Sequence, residues 1–169
     1  DGNFENASFS APAGLVYHGG KLYVADSGNH AIREIDFKEE KVSTLIGNGH
    51  RGGAVLSEVD AKNAALNSPL DIEFMSAKNS LIIANAGSNQ ILQYDLSSHK
   101  LSALAGDGKT DIVDGAYEKN SLAQPSDLAI HGSKIYFVEA KSSALRVLDE
   151  HKNVKTLIGK SLKEFGHKD

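Results

Sequence analysis

One fifteen-residue pattern occurs three times in this chain and limits its possible folds more than any other feature. It runs from Leu22 to Asp36, from Leu81 to Asp95 and from Ile135 to Asp149. Each copy is two strand-like runs of aliphatic and aromatic residues. They are joined by a short polar turn: Asp26-Ser27-Gly28-Asn29-His30, Asn85-Ala86-Gly87-Ser88-Asn89 and Glu139-Ala140-Lys141-Ser142-Ser143. β-Branched and aromatic runs separated by small polar residues are the mark of a hairpin. A tandem copy of a hairpin indicates a repeat architecture, because a single unit cannot bury its own apolar face.

The repeat is longer than its hairpin. Asp1-Gly2 and Asp114-Gly115, Pro12 and Pro125, and His18 and His131 recur at one common offset, so lead-in, first strand and first turn are repeated too. A first strand follows each proline at Pro12, Pro69 and Pro125, and a fourth ends at Leu45-Ile46-Gly47, Leu104-Ala105-Gly106 and Leu157-Ile158-Gly159. The three leucines give periods of 59 and 53 residues (104 − 45 and 157 − 104). Four short strands per unit at this period predict an all-β chain of β-propeller blades, over residues 12–47, 69–106 and 125–159. Leu81-Ile82-Ile83 and Ile135-Tyr136-Phe137-Val138 are apolar on both faces, as expected of a blade sandwiched between neighbours. A β-sandwich would instead alternate cleanly and carry no tandem period. Ser57 to Lys62, in the longer linker before the second unit, is expected to form a helical turn.

These residues resemble the NHL repeat. The likeness rests on Ala25-Asp26-Ser27-Gly28-Asn29-His30-Ala31-Ile32-Arg33-Glu34-Ile35-Asp36 followed by Val42-Ser43-Thr44-Leu45-Ile46-Gly47. It is looser in the other units, where Asn85 and Glu139 replace the aspartate and Ser143 the histidine. The Asp-Gly lead-ins and the ending Leu157-Ile158-Gly159 to Phe165-Gly166 resemble the subgroup found behind thioredoxin-like domains, which implies such a domain upstream in the full-length protein. The resemblance implies a propeller, usually of six blades, that serves as a platform for proteins, RNA or small ligands. A few relatives are metal-dependent lyases or hydrolases. Three blades cannot close a ring, since known propellers have about four to eight. With Asp1 and Asp169 in the same phase of the repeat, either the chain is a piece of a longer protein or two copies join head-to-tail as a homodimer. Open blade ends are expected to leave unpaired strand groups that favour such pairing.

Composition removes several functions. There is no cysteine, hence no disulfide, thiolate nucleophile or cysteine zinc site. The net charge of −4 disfavours a nucleic-acid surface, which requires a basic face. No apolar run reaches a membrane span, so a soluble chain is expected, in cytoplasm or periplasm alike. Gly106-Asp107-Gly108-Lys109-Thr110 is not a phosphate loop, because Ala103 stands where its first glycine is required. No Gly-x-Ser-x-Gly elbow occurs and no carboxylate pair can be assigned, so no catalytic residue is designated.

The reading is a non-catalytic scaffold that binds a protein or peptide through its polar loop face. Its candidate ligand-binding residues are Asn29, His30, Ser88, Asn89 and Ser142 in the second-to-third strand turns, with His50, Arg51, Asp107 and Lys109 on the inter-blade loops. Arg33 and Arg146 share a slot that is Leu92 in the middle unit, and pairing with Asp26 and Glu139 is expected. Asp36, Asp95 and Asp149 are expected to cap the turns that follow them. No cofactor is expected from these residues. The enzyme alternative would need Ca²⁺ or Zn²⁺; Asp107, Asp111 and Asp114 could gather a calcium ion, but their spacing departs from an EF-hand and Asp with Gly is ordinary loop composition.

Overall fold

In the computed structural model, residues 1–159 and Leu162 are described; Phe165, Gly166 and Asp169, which entered the reading of the repeat phase, lie outside them. Three antiparallel sheets follow one another. The first contains β1 (Gly2–Asn3), β2 (Pro12–His18), β3 (Lys21–Asp26), β4 (Ala31–Asp36) and β5 (Lys41–Ile46). The second contains β6 (Val59–Asp60), β7 (Pro69–Met75), β8 (Ser80–Asn85), β9 (Gln90–Asp95) and β10 (Lys100–Ala105). The third contains β11 (Gly115–Ala116), β12 (Pro125–His131), β13 (Lys134–Glu139), β14 (Ala144–Leu148) and β15 (Asn153–Ile158). In each, four strands form a meander, and the two-residue lead-in strand adds to the outermost of them, as in β1-β5-β4-β3-β2.

These are the expected blades, with one strand more than the sequence suggested. The lead-in peptides are too short to register as strands, yet the outer strand offers unpaired N–H and C=O groups that they satisfy. Gly2 pairs with Val42, Val59 with Leu101 and Gly115 with Val154. That pairing also corrects the expected helical turn at Ser57 to Lys62. Val59 and Asp60 are extended against β10, where Asp60 Oδ1 meets Lys100 Nζ at 2.6 Å, and only Ala61–Asn63 form a 3-10 turn. With the outer edges partly closed in this way, what stays open at the two ends of the arc is a sheet face rather than a strand edge.

Turn chemistry sets the strand register. His18 and Lys21 pair across Gly19-Gly20, both at positive φ, the two-residue hairpin turn that matches strand twist. Asp36, Asp95 and Asp149 cap the turns after their strands as expected. Each accepts two backbone N–H groups through Oδ1, at 2.7–3.1 Å. Those N–H groups hold all three carboxyls below the ordinary aspartate value.

Two apolar layers lie between the blades. Tyr23, Ile32 and Ile46 of the first blade meet Ile72, Leu81, Ile83, Leu92 and Leu101 of the second. Ile82, Ile91 and Leu104 on the reverse of the second meet Leu128, Ile135, Phe137 and Leu148 of the third. All six residues of β8 are therefore buried, and each large aliphatic side chain so buried contributes about 1.5–3 kcal/mol. β13 differs from expectation: Ile135 and Phe137 are covered, but Val138 is 40% exposed, because no further blade lies against that face.

The first strands β2, β7 and β12 lie side by side around the axis of the arc. Asp71 shows how closely they approach. Its Oδ2 accepts from Leu128 N–H of β12 at 2.7 Å, while its Oδ1 occupies the space where a Cβ on Gly14 of β2 would sit.

Candidate functional site

The second-to-third strand turns, read from the sequence as the binding surface, spend their polar groups internally. In the first blade Asp26 is fully buried; its Oδ1 accepts from Ser10 N–H at 2.7 Å, and its Oδ2 accepts from Asn29 Nδ2 at 2.8 Å and from Arg33 at 2.7 Å. Arg33 continues to Ser8 O and to Asp1 Oδ1, at 3.0 and 2.9 Å. The third blade repeats the network. Glu139 accepts from Ala123 N–H, Ser142 Oγ and Arg146, and Arg146 reaches Ser121 O, Val113 O and Asp114. The expected pairing of both arginines is thus present, and it ties the lead-in to the hairpin. In the middle blade Asn85 accepts from Asn67 N–H and donates to Ser88 Oγ, and Leu92 replaces the arginine. There Gln90, in place of Ala31 or Ala144, secures the lead-in through Val55 N–H and O.

His30 and Asn89 hold neighbouring blades together. Both have left-handed backbones, φ 52° and 53°. His30 Nδ1 accepts from Ser68 N–H at 3.0 Å and Asn89 Oδ1 from Gln124 N–H at 2.9 Å, each donor immediately preceding the next blade's proline. Asn29, His30, Ser88, Asn89 and Ser142 are therefore engaged within the chain. Of the loop residues, His50 is exposed, Arg51 Nε donates to Asn67 Oδ1 at 3.1 Å, and Lys109 meets Asp107 at 3.3 Å. Burial works against the ionised form of Asp107, but the Lys109 N–H, the Ser121 hydroxyl and the Lys109 ammonium together hold its carboxyl below the ordinary value. The loop carrying His50 is tied down, with the N–H groups of Gly47, Asn48 and Gly52 donating to Ala61 O, Ala64 O and Leu66 O at 2.9–3.0 Å. The nine candidates are spread over three blades, and only Asp107 and Lys109 are brought into contact as a charged pair.

A concave site lies elsewhere. Between the outer parts of the first two blades is a cleft of about 710 Å³, lined by Lys21, Glu34, Leu45, Asp60, Ala61 and Tyr94, with His99 and Lys62 at its rim. Its size falls in the range of ligand pockets, about 300–1,000 Å³. Lys21 Nζ donates to Glu34 at 2.7 Å and lies 3.6 Å from Asp36, and the Glu34 hydrogen bond raises its pKa against the effect of burial. Burial, then the charge of Glu34, pushes the Tyr94 phenol up to about 12. Tyr94 therefore keeps its proton, and its hydroxyl shares a hydrogen bond with His99 Nδ1, 2.8 Å away. The repeat explains why the cleft exists. The slot after the lead-in strand is Tyr117 in the third blade, partly buried and covered by Lys152 Nζ 5.0 Å from its ring, but only Ala61 in the second. Likewise Lys21 and Glu34 face it where the second blade has Ser80 and Gln93. Aligning the lead-ins as well as the hairpins would have revealed this exchange in the sequence.

Asp71, at the axis, is the other unusual carboxyl. Burial raises its pKa, the N–H groups of Ile72 and Leu128 oppose that, and the charge of Asp127 adds to the rise. A raised aspartate stabilises the fold below its unfolded value and loses that contribution as pH rises through the folded value. Asp71→Asn keeps an acceptor for Leu128. It is expected to raise the melting temperature at pH 7, with the gain vanishing below the ordinary aspartate value of 3.8. Melting curves across this pH range test it, and a variant less stable than the parent at pH 7 would contradict it.

Among the described residues no three His, Asp or Glu side chains are grouped so as to hold a metal ion. Asp114 engages Arg146 and Thr156, and Asp111 caps Ile112 N–H. No helix among them is long and apolar enough to cross a membrane.

Comparison with known proteins follows the repeat. Residues 9–35 match the NHL repeat family model. The chain is 38% identical over 154 residues, 88% of its length, to the Arabidopsis thaliana chloroplastic protein SUPPRESSOR OF QUENCHING 1. It is 32% identical over 182 aligned positions, 94% of its length, to human NHL repeat-containing protein 2. It spans only 15% and 25% of the length of these two relatives. A crystal structure from Bacteroides thetaiotaomicron superposes on 90% of this chain and 36% of its own with a TM-score of 0.68 at 16% identity, a likeness of fold. The threefold hairpin, its buried Asp26–Arg33 tie and these matches place the chain in the NHL-repeat β-propeller family.

Proposed function

We propose that this chain is a non-catalytic propeller scaffold that binds a peptide segment of a partner protein in the cleft between its first two blades. The observation that carries the reading is the Tyr-to-Ala exchange at position 61, which leaves open a groove with an apolar floor of Leu45 and Ala61 and charges of both signs, Lys21, Lys62, Glu34 and Asp60, on its walls. Mixed charges select orientation and sequence, and the buried aromatic and aliphatic floor supplies contact area. The blades on either side are fixed by their inter-blade hydrogen bonds, so little ordering is required on binding. His50, Lys109 and Asp107 on the loop face extend the recognition surface for a folded partner. No side chain in the cleft is assigned bond-breaking chemistry.

The test is selection of a displayed random peptide library on the chain, followed by binding of the enriched peptides to Ala61→Tyr. Tyrosine already occupies this slot in the third blade, so the variant is expected to fold with an unchanged melting temperature. It should lose at least about tenfold in affinity, roughly 1.4 kcal/mol. Peptides that bind the parent and the variant equally, or a failure to enrich any peptide, would sink the proposal.

A further inference from the structure

The residue that follows each lead-in strand occupies one structural position in all three blades. Phe4, Ala61 and Tyr117 donate their backbone N–H to Glu40 O, His99 O and Lys152 O at 3.2, 3.3 and 2.9 Å. Each of those acceptors has a left-handed backbone, φ 48°, 58° and 61°. Two of the three positions carry an aromatic ring. Phe4 meets Phe37 edge-on at 6.2 Å between centroids. Tyr117 packs against the buried apolar cluster that contains Leu101 and Ala103, with Lys152 Nζ 5.0 Å from its ring. Ala61 stops at Cβ, 3% exposed at the floor of the cleft between the first two blades. Resting on the reading of that cleft as a peptide site, we infer that its occupant supplies the missing ring. A tyrosine or phenylalanine of the partner peptide seats over Ala61, where the chain's own tyrosine sits in the third blade.

The slot is preformed, and both of its walls belong to this chain. Gly47 N–H donates to Ala61 O at 3.0 Å and Asn48 N–H to Ala64 O at 2.9 Å, which fixes the separation between the outer strand of the first blade and the lead-in of the second. The cleft, at about 710 Å³, has room for a ring, and burying one removes about 150–250 Å² from water. The lining favours an aromatic side chain over an aliphatic one of similar size. Tyr94 offers an aromatic neighbour, and Lys21 and Lys62 offer ammonium groups to the negative face of a ring. The Lys152–Tyr117 pair shows that contact already made inside the chain. In the second blade His99 stands where Lys152 does, and its Nδ1 is engaged by the Tyr94 hydroxyl at 2.8 Å, so the cations over the slot come from Lys21 and Lys62. Glu34 and Asp60 are paired with Lys21 and Lys100 at 2.7 and 2.6 Å, so the cleft presents no bare carboxylate to a basic side chain. Ring, floor and cations together specify an aromatic anchor.

The test uses single-residue probes on the 169-residue chain labelled with ¹³C at its alanine methyls. The Ala61 methyl resonance is the one missing from the Ala61→Tyr variant. N-Acetyltyrosinamide and N-acetylphenylalaninamide are expected to shift it saturably, and N-acetylleucinamide to bind about three- to tenfold more weakly. The Ala61→Tyr variant should show no saturable shift at the other alanine methyls that respond in the parent, and where it fails to fold Ala61→Leu makes the same measurement. Equal binding of the leucine and tyrosine amides overturns the inference. So does a tyrosine amide that leaves the Ala61 methyl unmoved, or that binds the filled variant as well as the parent. The peptides enriched from the displayed library separate this result from the broader reading. Peptides that depend on Ala61 yet keep their affinity when every aromatic residue is replaced by leucine overturn the aromatic anchor and leave the peptide site standing. If no peptide is enriched, the peptide site falls, and the three amides still decide whether the slot takes a ring.

Discussion

Arg146→Leu is expected to destabilise the protein by about 3–5 kcal/mol, the cost of leaving a buried charge without its partner. Glu139 is fully buried and would retain only Ser142 Oγ and Ala123 N–H as donors. Arg146 also ties the lead-in through Val113 O and Ser121 O, so each carbonyl would lose one donor and keep only the backbone N–H of the other residue. The middle blade shows how the same site is built without charge, with Asn85, Gln90 and Leu92 where the third blade has Glu139, Ala144 and Arg146. Glu139→Asn combined with Arg146→Leu should therefore recover most of the loss, because Asn85 makes the equivalent bonds to Asn67 N–H and Ser88 Oγ without a charge. Adding Ala144→Gln should restore the tie to the lead-in. Urea unfolding of the single, double and triple variants gives the three free energies. A double variant no better than the single would mean that packing of the guanidinium, 5.8 Å from the Phe137 ring, and not charge compensation, sets the cost.

Gly106→Ala is expected to cost about 2–6 kcal/mol, combining roughly 1–3 for an unfavourable backbone conformation with about as much for overpacking. Gly106 has φ +91°, and a Cβ there would lie 2.1 Å from Asn89 O and 3.0 Å from Gln90 Cα. Both contacts are backbone, so neither can swing aside. Relief would require Asn89 to move, and Asn89 is the residue that holds Gln124 N–H of the third blade. The same glycine recurs as Gly47 and Gly159, each against the carbonyl of the left-handed turn residue in its own blade. Gly53→Ala is the control, since nothing lies within 4 Å of its Cβ and its φ is not positive. Equal unfolding midpoints for the two variants would contradict the account.

The sequence by itself determined the blades. Hairpins, glycine turns, capping aspartates and the prolines that open each first strand are local instructions, and local instructions repeated three times can be read without knowing what they pack against. The Arg33 and Arg146 ties were legible for the same reason, since their slots covary with Asp26 and Glu139 from one copy to the next. The polarity of Asn29, His30, Ser88, Asn89 and Ser142 was visible too, but not its use. A polar residue in a turn looks the same in sequence whether its partner is a ligand or the N–H of the next blade, and the partners of His30 and Asn89 lie 38 and 35 residues away. Only the tertiary structure could decide that these groups are satisfied internally, that the lead-in adds a strand to the outer edge, and that an alanine in one junction leaves a cleft where a tyrosine stands in another. Each of those outcomes depends on which blade faces which, and burial is a property of the neighbour as much as of the residue.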